Sequence, residues 1–287
     1  MKPKIIAFDI DGTTINNYRK VDQSTLNAPI DLSKRGYILV PTTGRSLDGI
    51  PKPIRDLNIC DYAISSNGAR ITNLRTMEDI DSDLMSTELA IKIVEIVKPY
   101  RVWTSLHING ECYDQSWFQK MGRKILFHND FKSHPTVRDL ATFIKDNNYE
   151  VEKIQIFTLS HRKLERVLSE LEPLKCISYP MSANRYYEIT QEGANKGRSL
   201  QILCEHLGLS MDDVFAIGDD SNDIAMLKIA WISVAMGNAH QAVRDASLNF
   251  KQKKIRSMDS HMQSINMSYR KTVRFKEFVI SSLSKQV

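Results

Sequence analysis

The chain has 287 residues, 42% apolar and 25% charged, the make-up of a soluble globular protein with room for one large domain or two ordinary ones. It contains no run of about 18 apolar residues and no leader-like apolar stretch after Lys2 and Lys4, which argues against a spanning helix or a secretory signal and for a cytoplasmic protein. The net charge of +5 sits at one end: nine Lys and Arg against Asp259 and Glu277 after residue 250 leave residues 1–250 with 30 basic and 32 acidic side chains, so neither a nucleic-acid nor a membrane partner is expected.

The first apolar run, KIIAF, ends on Asp9-Ile10-Asp11-Gly12, two carboxylates one residue apart at the end of a strand. Carboxylates beside an apolar core are costly unless pairing, hydrogen bonds or a metal offset the lost hydration, so this pair requires a partner. YILVPTT and YAISS are further β-rich runs, and all three lead into Gly-containing turns at Gly12, Gly44 and Gly68. Continuous apolar strands separated by polar, helix-compatible segments predict a parallel sheet covered on both faces. The middle third differs. An amphipathic helix is predicted over 87–98, and VWTSLHINGECY reads as a hairpin turning at Asn109-Gly110. Helices are predicted over 136–146 and 161–171, with IQIFTL a strand between them and CISYPM and YYEIT strands after them. The first pattern then returns as the strands DVFAIGDD and WISVAMGN, with helices over 196–207, 222–230 and 239–246. The fold class is therefore α/β: a parallel sheet with helices on both faces, and a separate α+β domain inserted between its halves.

In an open parallel sheet the ligand site lies beyond the carboxyl ends of the strands. Asp9 and Asp11 end the first strand, Thr43 the second and Asp219 a late one, with Asn222 and Asp223 at the following helix start. Distant positions thus converge on one edge.

In this order, DIDGT, TTGR, NKG and GDDSND resemble the four motifs of the haloacid dehalogenase-like phosphatases. The SNGA turn, the large insertion between the second and third motifs, and YYEIT followed by NKG resemble the Cof-type branch. D-x-D-G alone is common; four motifs in order at strand ends are specific. The resemblance implies a Rossmann-like core of residues 1–82 and 188–250, an inserted cap of residues 83–187, and a divergent basic segment 251–287.

It also implies a Mg2+-dependent phosphatase of small phosphorylated metabolites, sugar phosphates first, with pyridoxal phosphate or flavin mononucleotide behind. In that reading Asp9 is nucleophile and metal ligand, forming an aspartyl-phosphate. Asp11 is general acid, then base, and lends its backbone carbonyl to the metal; Asp219 completes the protein's share of the metal shell. Thr43, the N–H of Gly44, Lys196 and Asn222 hold the phosphoryl group, and Asp223 orients Lys196 or a metal-bound water from behind. Arg45 and Asp220 receive no role. The chemistry is coherent, because a carboxylate attacking a nearly dianionic ester needs cations around it, and Mg2+ takes carboxylate and phosphate oxygens.

Alternatives are a sugar-phosphate phosphotransferase or mutase and a non-catalytic sensor of a phosphorylated ligand. Taken singly, each Asp and Asn also suits a plain turn or helix cap. A calcium loop starting at Asp219 fails, since Ile224 and Ala230 stand where Gly and Glu are required. Cys60, Cys112, Cys176 and Cys204 form no C-x-x-C pair, and the seven histidines no H-E-x-x-H, so neither a disulfide nor a zinc site is expected. Trp103, Tyr113, Trp117 and Phe118 suit core packing better than a substrate pocket. After residue 250 the family pattern is interrupted, though 273–283 keeps the apolar spacing of a docked helix. A monomer or weak homo-oligomer is expected.

Overall fold

The structure is a computed structural model that describes residues 4–13, 23–115, 134–178, 181–183 and 186–248. The tail, the run 273–283, Trp117 and Phe118 lie outside those residues. The apolar runs at the two ends of the chain meet in one parallel sheet. Strands β1 (Ile5–Phe8), β2 (Ile38–Pro41), β12 (Val214–Gly218) and β13 (Ile232–Ala235) lie in the order β13-β12-β1-β2. Ile5 stands opposite both Val214 and Ile38. Strand β3 (Tyr62–Ser65) runs parallel beyond β2 through the bridges Leu39–Cys60 and Thr42–Ile64.

Alternation along β1 feeds two cores. Ile6 and Phe8 pack with Leu39, Phe215 and Ile217 under Leu32 of helix α1 (Gln23–Lys34) and Ile54 of α2 (Lys52–Asp56). Ile5 and Ala7 pack with Val40, Val214 and Ala216 under Leu200, Met226 and Val243. These last three belong to α6 (Lys196–His206), α7 (Ile224–Ile229) and α8 (Gln241–Leu248). Each large apolar side chain so buried contributes about 1.5–3 kcal/mol.

The inserted unit is built on an antiparallel sheet. Strands β6 (Trp103–Ile108), β7 (Glu111–Asp114), β8 (Lys153–Phe157), β10 (Met181–Ala183) and β11 (Tyr186–Gln191) lie in the order β10-β11-β8-β6-β7, and the short β9 (Ile177–Ser178) pairs with β11. Asn109 and Gly110 turn the β6–β7 hairpin, both with positive φ, at 50° and 78°, as a type I′ turn demands. Leu106, Ile154, Ile156 and Ile189 face helices α3 (Thr87–Val97), α4 (Leu140–Asn147) and α5 (His161–Leu171), burying Ile93, Ile144, Leu164 and Val167. Tyr113 joins that core, its ring 4.9 Å from Phe143. The opposite face is polar: register sets Ser105 against Asp114 and Gln155, His107 against Cys112 and Lys153, and Gln155 against Glu188. This face meets the parallel-sheet unit, since Glu152, beside it, accepts from Ser66 Oγ at 2.6 Å and Arg70 Nε at 2.8 Å.

Three expectations change in detail. After β3 the chain forms an antiparallel hairpin, β4 (Arg70–Asn73) and β5 (Glu78–Ser82), where no element was expected. The helix expected over 136–146 begins at Leu140, because Asp139 caps it by accepting from Thr142 N–H at 2.9 Å while Thr136 bridges to Asp114. CISYPM is divided between β9 and the start of β10.

Candidate active site

Strand order reverses direction around β1, which lies between β2 and β12, and such a switch point opens a crevice at the strands' carboxyl ends. Asp9 extends β1 by one residue, its N–H bonding Ile217 O at 2.9 Å, so its side chain enters beside the end of β12. There Asp9 Oδ1 meets Lys196 Nζ at 2.7 Å, and the same ammonium meets Asp223 Oδ1 at 2.7 Å. The three residues are 4%, 0% and 0% exposed, respectively.

Local sequence explains how they arrive. Lys196 is the first residue of α6, after Asn195, whose Oδ1 caps the helix through Arg198 N–H at 2.9 Å. A cation at a helix N-terminus opposes the helix dipole, and full burial adds a desolvation cost. The lysine nevertheless holds its proton well above the ordinary range, because Asp223 and Asp9 outweigh burial. Asp223 closes the 3-10 turn Ser221–Asp223, its Oδ2 accepting from the N–H groups of Asp219 at 2.9 Å and Asp220 at 3.0 Å. Gly218 is required beneath it, since a Cβ there would lie 2.4 Å from the Asp223 carboxyl carbon.

Asp219 is half-buried, with Oδ1 accepting from Thr13 Oγ1 at 3.0 Å and Oδ2 from Asn238 Nδ2 at 2.6 Å. Burial pushes its carboxyl up to about 6, Thr13 opposing and Asp223 and Asp220 adding. Burial also raises Asp9 well above the carboxylate range; Lys196 opposes, while Asp223 and Asp11 add. Ligand oxygens of Asp9, Asp219 and Asp223 lie within 4.8 Å of one another. Asp223 already uses both of its oxygens on Lys196 and the two backbone donors. Asp219 also has both oxygens hydrogen-bonded, but to neutral side chains at the half-buried edge of the site, so Asp9 and Asp219 could hold a metal ion. An all-oxygen donor set in which burial disfavours the carboxylate charge fits a hard divalent cation.

Thr43 and Gly44 border the same crevice. Thr43 is fully buried and its Oγ1 accepts from Arg45 N–H at 3.1 Å. Asn222 Nδ2 donates to Asn67 Oδ1 at 3.0 Å, and a Cβ on Gly44 would lie 2.7 Å from that same Oδ1. The expected site residues are thereby brought to one edge. The Asp11 side chain stands apart from the trio, about half-exposed and held by Arg45 through Nε at 2.7 Å and Nη2 at 2.6 Å. Six contributors had no assignment from sequence: Arg45, Asn67, Thr13, Asn238, Lys153 and Glu188. Arg45, Asn67, Thr13 and Glu188 lie inside TTGR, SNGA, DIDGT and YYEIT, and Asn238 ends WISVAMGN; Lys153 alone lies outside every stretch singled out in the sequence. Cys112, Asp114 and His134 form a second buried group of metal-capable side chains, on the inserted unit, with His134 Nδ1 3.6 Å from Asp114 Oδ2.

A family model described as haloacid dehalogenase-like hydrolase matches residues 6–255. The HMP-PP phosphatase of Yersinia enterocolitica is 29% identical over 82% of this chain and 84% of its own. The pyridoxal phosphate phosphatase YbhA of Escherichia coli is 26% identical over 85% of this chain and 91% of its own. Among solved structures, a haloacid dehalogenase-like hydrolase from Bacteroides thetaiotaomicron superposes with a TM-score of 0.75 at 27% identity, covering 86% of this chain and 92% of that one. The chain belongs to the haloacid dehalogenase-like hydrolase family. Within it, the chain is an enzyme of the phosphatase group.

Proposed function

We propose that the chain is a Mg2+-dependent phosphatase of small phosphorylated metabolites, working through an aspartyl-phosphate on Asp9. The observation that carries this reading is the buried chain Asp223–Lys196–Asp9 with Asp219 beside it. Asp9, Asp219 and the backbone carbonyl of Asp11 would hold the ion, which when bound neutralises charge on the phosphoryl oxygens. Lys196 adds a second positive charge, fixed by Asp223, and Thr43, the Gly44 N–H and Asn222 donate hydrogen bonds to the same group.

In the first half-reaction an Asp9 oxygen attacks phosphorus. The bond to the leaving oxygen breaks, and that oxygen takes its electron pair and the proton of Asp11. In the second, water attacks the phosphorus and gives a proton to Asp11, the bond to the Asp9 oxygen breaks, and inorganic phosphate leaves. Arg45 engages both Asp11 oxygens, which favours the ionised form that takes the proton in the second half-reaction, so Asp11 leaves this pair to act as the acid in the first.

Residues 83–187 act as a cap over residues 1–82 and 188–250, excluding water and selecting the leaving group. Sugar phosphates head the substrate panel, followed by pyridoxal phosphate and flavin mononucleotide; the name of one relative supports the second. The four cysteines, none of them disulfide-bonded, suit a reducing cytoplasm.

The test is turnover of p-nitrophenyl phosphate with Mg2+. Chelation should abolish it, and Asp9→Asn should lower kcat by at least about 10⁴-fold with the thermal melt retained. Activity surviving in Asp9→Asn removes the nucleophile assignment, and with a sugar phosphate as substrate, phosphate recovered on a second hydroxyl instead of released identifies a mutase.

A further inference from the structure

We propose that the buried Lys153–Glu188 ion pair of the inserted sheet fixes the position of the Thr43 hydroxyl and the donor direction of the Asn222 amide across the crevice. The proposal rests on the reading above that these two contact the phosphoryl group.

Lys153 and Glu188 sit on adjacent strands, β8 and β11, and are 0% and 4% exposed. A buried ion pair is a weak source of stability, because desolvating two charges cancels much of their attraction. This pair has a second set of contacts, and they cross to the other unit. Lys153 Nζ donates to the carbonyl oxygen of Gly44 as well as to Glu188 Oε1. That carbonyl belongs to the peptide whose N–H, on Arg45, donates to Thr43 Oγ1 at 3.1 Å. A hydroxyl oxygen that accepts from the backbone keeps its own hydrogen to donate elsewhere.

The second branch starts at the carboxylate. Glu188 Oε2 accepts from Asn67 Nδ2 at 2.7 Å, and Asn67 Oδ1 accepts from Asn222 Nδ2 at 3.0 Å. An ionised carboxylate only accepts, so it fixes which end of the Asn67 amide faces it. Asn67 then turns its oxygen to Asn222, and Asn222 turns its NH2 into the crevice with one N–H engaged and a second to give. The Arg45 N–H is a donor in any setting, so Lys153 fixes the place of the Gly44–Arg45 peptide and with it the Thr43 hydroxyl, whereas the amide branch through Asn67 to Asn222 cannot reverse while Glu188 is charged. A phosphoryl group offers only acceptors, and both branches end on donors. Glutamine at 188 would present either end of its amide and would let Asn67 and Asn222 turn over together.

The experiment uses the full chain with p-nitrophenyl phosphate and Mg2+. It compares the double variant Lys153→Met/Glu188→Gln, Asn222→Ala, and the two combined. Removing both charges together avoids leaving one buried alone. The double variant should lower kcat about tenfold or more with KM within about twofold, and should weaken orthovanadate inhibition in step. Asn222→Ala should cost at least about tenfold in kcat/KM, and the combined variant should lose at least about threefold less than the product of the separate losses. A merely structural pair would give multiplying losses.

Multiplying losses, or an unchanged kcat in the double variant while Asn222→Ala is impaired, overturn the relay and leave the phosphatase reading standing. Full activity in Asn222→Ala overturns the relay and the assignment of Asn222 as a phosphoryl contact. If the double variant does not fold, Glu188→Gln and Glu188→Asp replace it. The aspartate, still an obligate acceptor, should keep kcat within about threefold of the parent and the glutamine should not; equal losses in the two overturn the relay.

Discussion

Gly12 has φ +79°, and a Cβ on it would lie 2.0 Å from Asp219 Oδ2. The glycine of D-x-D-G therefore does two things: it turns the chain after Asp11, and it leaves room for a carboxylate arriving from 207 residues further along. Gly12→Ala should cost about 1–2 kcal/mol for the left-handed backbone alone. It should also displace Asp219, so Mg2+ affinity, read by titrating activity, should fall by more than the melt implies. An alanine variant with unchanged metal dependence would show that Asp219 has space to move. At this scale the sequence was legible wherever a residue type has few uses at a strand end. Asp9 and Asp219 stood out because carboxylates end apolar runs there and Asn222 opens the helix that follows, whereas Lys196 was reached through the resemblance of NKG to a family motif. Lys153 and Glu188 did not stand out, because each sits within a strand and acquires its partner only from cross-strand register and from contact with the other unit.

Among the elements, α6 carries the most strain of charge, with Lys196 at its first position. The Asn195 cap holds that end, so Asn195→Ala should destabilise by about 1 kcal/mol. It should also lower kcat, because the lysine's approach to Asp9 depends on the first turn; a melt lowered with kcat untouched would separate the two. Element type was readable from periodicity in most places: the boundaries of α5 coincide with the expected 161–171, and β1, β2 and β3 fall inside the three apolar runs. The β4–β5 hairpin was missed for a physical reason. Its turn, near Met77 at φ 60°, contains neither Gly nor Pro, and Ile71 and Thr72 are its only buried β-branched side chains. The start of α4 was placed early because Thr136 and Val137 continue the apolar spacing while the backbone is still extended.

For the whole molecule, two sheets of different kind meet along one polar seam. The parallel sheet brings the charges together at its switch point, and the antiparallel sheet turns a polar face toward them. The α/β class and the insertion were readable from the change of pattern along the chain. The seam was not, because it joins side chains such as Ser66 and Glu152, 86 positions apart. Burial acts to raise the Glu188 carboxyl, but Lys153, Asn67 and Gln155 hold it below its ordinary 4.5. A folded value below the unfolded one means the seam contributes fully above about pH 4.5 and is lost as pH falls through the lower, folded value. Thermal melts from pH 6 down to pH 3 should therefore steepen below about pH 4.5 in the parent. Glu188→Gln should show a shallower fall over the same range; parallel curves would mean the seam contributes no proton linkage.

The central claim is that Asp9 takes the phosphoryl group. The most direct measurement is rapid acid quenching during turnover of p-nitrophenyl phosphate, followed by mass spectrometry of the digested chain. A phosphate adduct on the peptide containing Asp9, present with Mg2+ and absent from Asp9→Asn, is the predicted result. An adduct on another residue, or a burst of p-nitrophenol with no adduct on Asp9, would contradict it.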